Sequence, residues 1–127
     1  MIQKAREKAD RRGLRVHFCV LDARDLSSLN RKFDTATDSG LFHTLSDEDR
    51  PLFVDSLAAT LFPGGNYFML CFSDLEPAGY GPRRITKREI QESFSDGWSI
   101  NYIRPAVFES RTRAGGPRAW LSSIAKK

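Results

Sequence analysis

Apolar and polar positions follow two different spacings along this chain, and each change of spacing marks an element. Ile2, Ala5 and Ala9 form one stripe among charged residues, which predicts an amphipathic helix over residues 2–12 ended by Gly13. Val16 to Leu21 is a nearly continuous apolar run closing on Asp22-Ala23, the pattern of a strand buried on both faces of a parallel sheet. A short helical turn over residues 25–30 then leads to a second strand, Phe33 to Asp38.

Ser46-Asp47-Glu48-Asp49 offers a capping serine with an acidic residue three positions on, and Phe53, Leu57 and Leu61 follow at helical spacing. Pro63-Gly64-Gly65 reads as the stop of that helix, and Asn66 to Ser73 as the most hydrophobic strand, suited to the middle of a sheet. A Gly- and Pro-rich loop over residues 74–84 precedes a second capping box, Thr86-Lys87-Arg88-Glu89, with Ile85 and Ile90 as its hydrophobic staple and a helix running to about Phe94. Asp96-Gly97 turns the chain into Trp98 to Ile103, Pro105 interrupts, Ala106 to Arg111 continues extended, and Arg118 to Ile124 closes the sheet.

Strand and helix alternate until two strands follow one another at the end. That order predicts an α/β domain spanning residues 1–127, with a mainly parallel sheet and an antiparallel strand near one edge. A chain of 127 residues is long enough for a single core. The strongest apolar run, Tyr67 to Phe72, is far shorter than the roughly 18 residues a membrane helix needs, and the charged N-terminus lacks the apolar stretch of a secretory signal. A cytoplasmic protein without a membrane partner is expected. Cys19 and Cys71 both sit in apolar runs and read as two buried thiols, and with only two histidines there is no spacing for a structural metal. The net charge of +4, with Arg104, Arg111, Arg113, Arg118, Lys126 and Lys127 near the end, comes with no nucleic-acid motif and reads as a solvated face.

Candidate chemistry falls at strand ends, where open α/β sheets bind their ligands. Asp22 can accept a hydrogen bond from an exocyclic amine, or simply cap the turn at Arg24-Asp25. Asp38 and Ser39 can bond a polar ligand, and Gly40 permits close approach. His43 is the one imidazole in a loop beside them, either a proton-transfer group or a structural ring.

The ordered series Phe33-Asp34-Thr35-Ala36-Thr37-Asp38-Ser39-Gly40-Leu41-Phe42-His43, Leu45 to Arg50, Leu61-Phe62-Pro63-Gly64-Gly65, Leu70 to Asp74 and Gly81 to Ile85 resembles bacterial class I S-adenosylmethionine-dependent methyltransferases of the methyltransferase-domain or thiopurine-methyltransferase-like type. The resemblance implies a Rossmann-like sheet and methyl transfer from S-adenosylmethionine to a small-molecule acceptor. It places Asp22 and Ala23 beside the adenine, Asp38, Ser39 and Gly40 beside the methionine part, and Phe42, Arg83 and Arg84 at the acceptor, with His43 as the candidate base.

It also implies a gap. Family members open with a strand, a Gly-rich loop and a second strand ending in an acidic residue, none of which this sequence contains, so the chain is expected to be the C-terminal part of the fold. Family sheets run in the order three, two, one, four, five, seven, six. The connection from Ala23 to Lys32, which extends to roughly 30 Å, still suits that complete sheet. Without the middle strands, Val16 to Leu21 either pairs directly with Phe33 to Asp38 or leaves an exposed edge open to a homodimer or strand exchange. The alternative to an enzyme is an inactive fragment serving as a binding or interaction module.

Overall fold

A computed structural model describes residues 2–77, 83–110 and 115–127. Helix α1, Ile2–Arg11, follows the apolar stripe and buries Ala9. It ends in a Schellman arrangement in which the Leu14 N–H bonds the Ala9 carbonyl at 2.9 Å and the Gly13 N–H bonds that of Asp10 at 3.1 Å.

The expected strand over Val16 to Leu21 does not form. The segment lies outside every ladder, with Val16 51% and Val20 87% exposed, and Cys19 is exposed rather than buried. The physical reason is the lack of a neighbour: an apolar run becomes a strand only where another strand satisfies its backbone groups. A 3-10 turn, Ala23–Leu29, follows, begun two residues earlier than the residues alone suggested because the Asp22 side chain caps it. Asn30, in the left-handed region at φ 54°, closes it.

Strand β1, Phe33–Ser39, runs parallel to β2, Leu61–Phe72. Between them α2, Asp49–Ala59, begins where Ser46 Oγ accepts the Asp49 N–H at 3.1 Å, and it turns Phe53, Val54 and Leu57 into the core. Pro63-Gly64-Gly65 does not stop this helix, which ends at Thr60. Instead these residues form a bulge inside β2: Phe33 pairs with Leu61 but Thr35 with Asn66, so β2 inserts extra residues there. A Cβ on Gly65 would lie 2.9 Å from the Phe62 carbonyl oxygen and 3.1 Å from that of Asp34, too close for any side chain.

Helix α3, Lys87–Ser93, starts with the expected capping box, Thr86 Oγ1 accepting the Glu89 N–H and Glu89 reaching back to the Thr86 N–H, with Ile85 and Ile90 fully buried beside it. β3, Trp98–Val107, runs unbroken through Pro105, which an edge strand tolerates. β4, Arg118–Lys126, lies antiparallel to both β2 and β3.

The sheet order is β1-β2-β4-β3. Three strands share one direction and β4 opposes them, the arrangement expected for the last four strands of a Rossmann-like methyltransferase sheet. The core gathers on one face, where Tyr67, Met69 and Cys71 of β2 meet Trp120 and Ile124 of β4 and Phe42, Phe53, Leu57 and Phe94. On the other face Phe68, Leu70 and Phe72 stay half-exposed, so the central strand is not buried on both sides. Across the core edge the Arg50 guanidinium, largely buried, pairs with Glu89 at 3.1 Å and stacks 4.9 Å from the Phe42 ring centre, linking α2 to α3.

Candidate functional site

The site is organised by the carboxyl end of β1. Asp38 is half-buried and uses both oxygens: Oδ1 accepts the Leu41 N–H at 2.8 Å, while Oδ2 accepts the Phe42 N–H at 3.1 Å and the Tyr67 hydroxyl at 2.7 Å. The carboxylate thus shapes the turn that carries residues 39–44. Gly40 sits at φ +92°, a conformation that favours glycine, and its N–H bonds the Leu70 carbonyl at 3.0 Å. Ser39 is exposed beside it.

His43 is 6% exposed and stitched to the backbone. Its Nδ1 accepts the Phe72 N–H at 2.8 Å. Burial pushes its pKa below the ordinary 6.5, so the ring is neutral near neutral pH. It packs 4.8 Å from the Phe72 ring and 5.9 Å from that of Phe108, and those two half-buried rings meet edge to face at 5.2 Å. Arg84 adds its guanidinium 5.1 Å over Phe72 while Nη2 donates to the Pro77 carbonyl.

Phe42 does not face a ligand. It is fully buried against Phe94, because the turn that brings its N–H to Asp38 also turns its ring into the core. Arg83 pairs with Asp47 at 2.8 Å, holding that carboxyl below its usual range, and lines an open recess of about 460 Å³ with His43, Thr44, Leu45 and Ser46. Gly81 and Pro82, expected in the same loop, and Arg111 and Arg113 lie outside the described residues.

A groove of about 750 Å³ runs along the free side of β1, and Ala23, Asp38 and Ser39 line it together with Leu26, Phe53 and Tyr67. Asp22 does not line it. Both Asp22 oxygens are taken by Arg24, at 2.6 Å from Nη2 and 2.9 Å from the backbone N–H, and this pairing lowers its pKa to about 2. Arg24 continues to Asp49 at 3.1 Å, fastening the 3-10 turn to α2. The structure thus shows the capping role weighed for Asp22.

Ala23, Asp38 and Ser39 share a groove with room for a nucleoside. Among the described residues no cluster of His, Cys, Asp and Glu suits a metal ion, and no helix is long and apolar enough to cross a membrane.

Tyr67, Phe72 and Phe108 were not singled out by the residues alone. Tyr67 carried one usable signal: a phenol in an otherwise apolar strand must find a polar partner. The aromatic pair gave none, since its members come from distant strand ends.

Residues 1–65 match the model of a methyltransferase domain. A 2-heptyl-1-hydroxyquinolin-4(1H)-one methyltransferase of Mycobacteroides abscessus is 34% identical over 108 residues, covering 83% of this chain and 48% of that protein. The chain thus spans about half the length of this curated relative. Among solved structures, one described for the conversion of a disulfide bond into a thioacetal group during echinomycin biosynthesis superposes with a TM-score of 0.83 at 29% identity, covering 99% of this chain and 62% of the other. A Burkholderia thailandensis 1,6-didemethyltoxoflavin-N1-methyltransferase, with 1,6-didemethyltoxoflavin and S-adenosylhomocysteine bound, shares the fold with a TM-score of 0.71 at 19% identity, covering 98% and 56%.

Proposed function

This chain belongs to the methyltransferase-domain family of class I S-adenosylmethionine-dependent enzymes, and from that membership we propose that it forms the adenine and acceptor walls of a methyl-transfer site for small planar aromatic acceptors. The observation that carries the proposal is the pair of features at the carboxyl ends of β1 and β2: Ala23, Asp38 and Ser39 on one groove, and the Phe72–Phe108 pair packed against His43 in the turn that follows β1. The cofactor supplies an electrophilic methyl group on sulfur. Ala23 and Ser39 border its place, and Asp38 holds the turn that fixes Ser39 and Gly40. The aromatic pair offers a stacking surface, and Arg83 and Arg84 lend positive charge to an anionic acceptor. The relative acting on a hydroxyquinolone supports that acceptor class.

His43 we assign as a positioning residue. Its Nδ1 is engaged by the Phe72 N–H in a buried setting, which favours holding the ends of β1 and β2 together over proton transfer. An acceptor that is already anionic needs no base, and catalysis then rests on bringing the two reactants together.

For this chain by itself the second function, a binding module without turnover, is favoured by the engagement of Asp22 with Arg24. The test is methyl transfer from labelled S-adenosylmethionine to an N-hydroxyquinolone, by this chain alone and by a longer polypeptide that adds a Gly-rich strand–turn–helix ahead of α1. Turnover by the longer polypeptide only is expected. Failure of both on a panel of aromatic acceptors would overturn the acceptor class.

A further inference from the structure

We propose that the cleft between α2 and α3 binds a basic amino acid of the lysine or arginine type, with the ligand's carboxylate on Arg50 and its side-chain cation between Asp55 and Asp96. The cleft is built from α2, α3 and their flanking turns, with Trp98 at the start of β3, and it shares no residue with the groove along β1. The proposal therefore stands apart from the methyl-transfer function.

One end of the cleft holds a buried guanidinium with unused donors. Arg50 lines the cleft and is 8% exposed. Its Nη1 donates to Glu89 Oε2 at 3.1 Å and its face lies 4.9 Å from the centre of the Phe42 ring, yet Nε and Nη2 are buried without a hydrogen-bond partner. Those two nitrogens form one edge of the guanidinium, where parallel N–H bonds match the two oxygens of a carboxylate. Buried donors left unpaired cost free energy that an incoming acceptor restores. Glu89 is itself fixed, its Oε1 accepting the Thr86 N–H, so it serves as the pivot about which the guanidinium turns this edge into the cleft.

The other end carries uncompensated negative charge. Five carboxylates line the cleft, although the chain as a whole has a net charge of +4. Asp47 is paired with Arg83, Glu89 with Arg50 and Glu92 with Arg88. Asp55 and Asp96 have neither an ion pair nor a side-chain hydrogen bond among the described residues. Unpaired donors at one end and unpaired carboxylates at the other select a ligand that carries both signs.

Spacing sets the length of that ligand. Asp55 follows Arg50 by five residues in α2, about 7.5 Å along the axis at 1.5 Å per residue. In an extended lysine six bonds separate the carboxyl carbon from the terminal nitrogen, roughly 7 Å, and arginine reaches slightly further. The cleft, about 340 Å³, admits a molecule of that size, with Pro51 and Val54 as a surface for its methylene stem and Trp98 beside its cation.

The experiment is titration of the 127-residue chain with L-arginine and L-lysine, followed by NMR at the Val54 amide and the Trp98 indole. Agmatine, which lacks the carboxylate, and citrulline, which lacks the charge, are titrated alongside. Saturable one-site shifts are expected for both amino acids, with agmatine and citrulline each weaker than L-arginine by about tenfold, the loss of one charged contact. Asp55→Asn combined with Asp96→Asn should weaken L-arginine by about tenfold and leave citrulline unchanged. Arg50→Lys keeps a charge beside Glu89 but lacks the two-donor edge, so it should weaken L-arginine alike and leave agmatine unchanged. Should it unfold, the aspartate substitutions still decide, because both side chains are exposed. Absence of saturable shifts, equal affinity for L-arginine, agmatine and citrulline, or L-arginine binding untouched by the aspartate substitutions would each overturn the proposal.

Discussion

The Tyr67 hydroxyl donates to Asp38 Oδ2 at 2.7 Å, joining the inward face of β2 to the carboxyl end of β1. One carboxylate thereby serves both the core and the turn that presents Ser39 and Gly40. Tyr67→Phe keeps the ring and its packing against Phe53 and Phe94 but removes the bond. The expected cost is about 1.5–3 kcal/mol, the range for a hydrogen bond to a charged group, and it is measured as a lower denaturant midpoint.

The same pair predicts an alkaline limb. Burial, and then the Asp38 charge, hold the phenol of Tyr67 well above its ordinary value of 10.0. A folded pKa raised above the unfolded one gives stability that is complete below pH 10 and declines above it. Tyr67→Phe should show a shallower decline than the native chain over that range.

At the acid end His43 sets the behaviour. Its folded pKa lies below the ordinary 6.5, so its contribution is present above that pH and is lost as pH falls from 6.5 through the depressed value. His43→Asn, whose Oδ1 can still accept the Phe72 N–H, should remove this part of the acid dependence with little loss at neutral pH. His43→Ala leaves a backbone donor unpaired and should cost about 2–3 kcal/mol at neutral pH, with the difference from the native chain narrowing as pH falls below 6.5. Urea midpoints from pH 5 to 8 check both.

The two thiols should separate cleanly. Cys71 is fully buried in β2, and burial pushes its pKa up to about 12, whereas Cys19 is exposed. A thiol reagent at neutral pH should label one cysteine quickly and the second only on unfolding.

Much of this architecture was legible from spacing and capping. Ser46, Thr86 and Glu89 announced two helices by local chemistry that survives in any tertiary setting, and the apolar run at Tyr67 to Phe72 marked the central strand. What misled was non-local. Val16 to Leu21 has the composition of a buried strand, yet composition cannot supply the neighbour that such a strand needs. Pro63-Gly64-Gly65 looked like a helix stop because its pairing with Phe33 to Thr35, which makes it a bulge, is invisible along the chain. Asp22 and His43 were identified as polar groups in the right region, but whether a polar group serves a ligand or a neighbouring backbone depends on partners such as Arg24 and Phe72, which only the fold brings close. Phe42 illustrates the same limit: it lies beside the site in sequence and in the core in space.

The most direct test of the central claim, that this chain supplies one side of an S-adenosylmethionine site, is calorimetric titration of the 127-residue protein with S-adenosylhomocysteine. No saturable heat in the micromolar range is predicted for these 127 residues, because the proposed contacts, Ala23, Asp38 and Ser39, border only one part of the cofactor. Micromolar affinity with one site per chain would contradict the account.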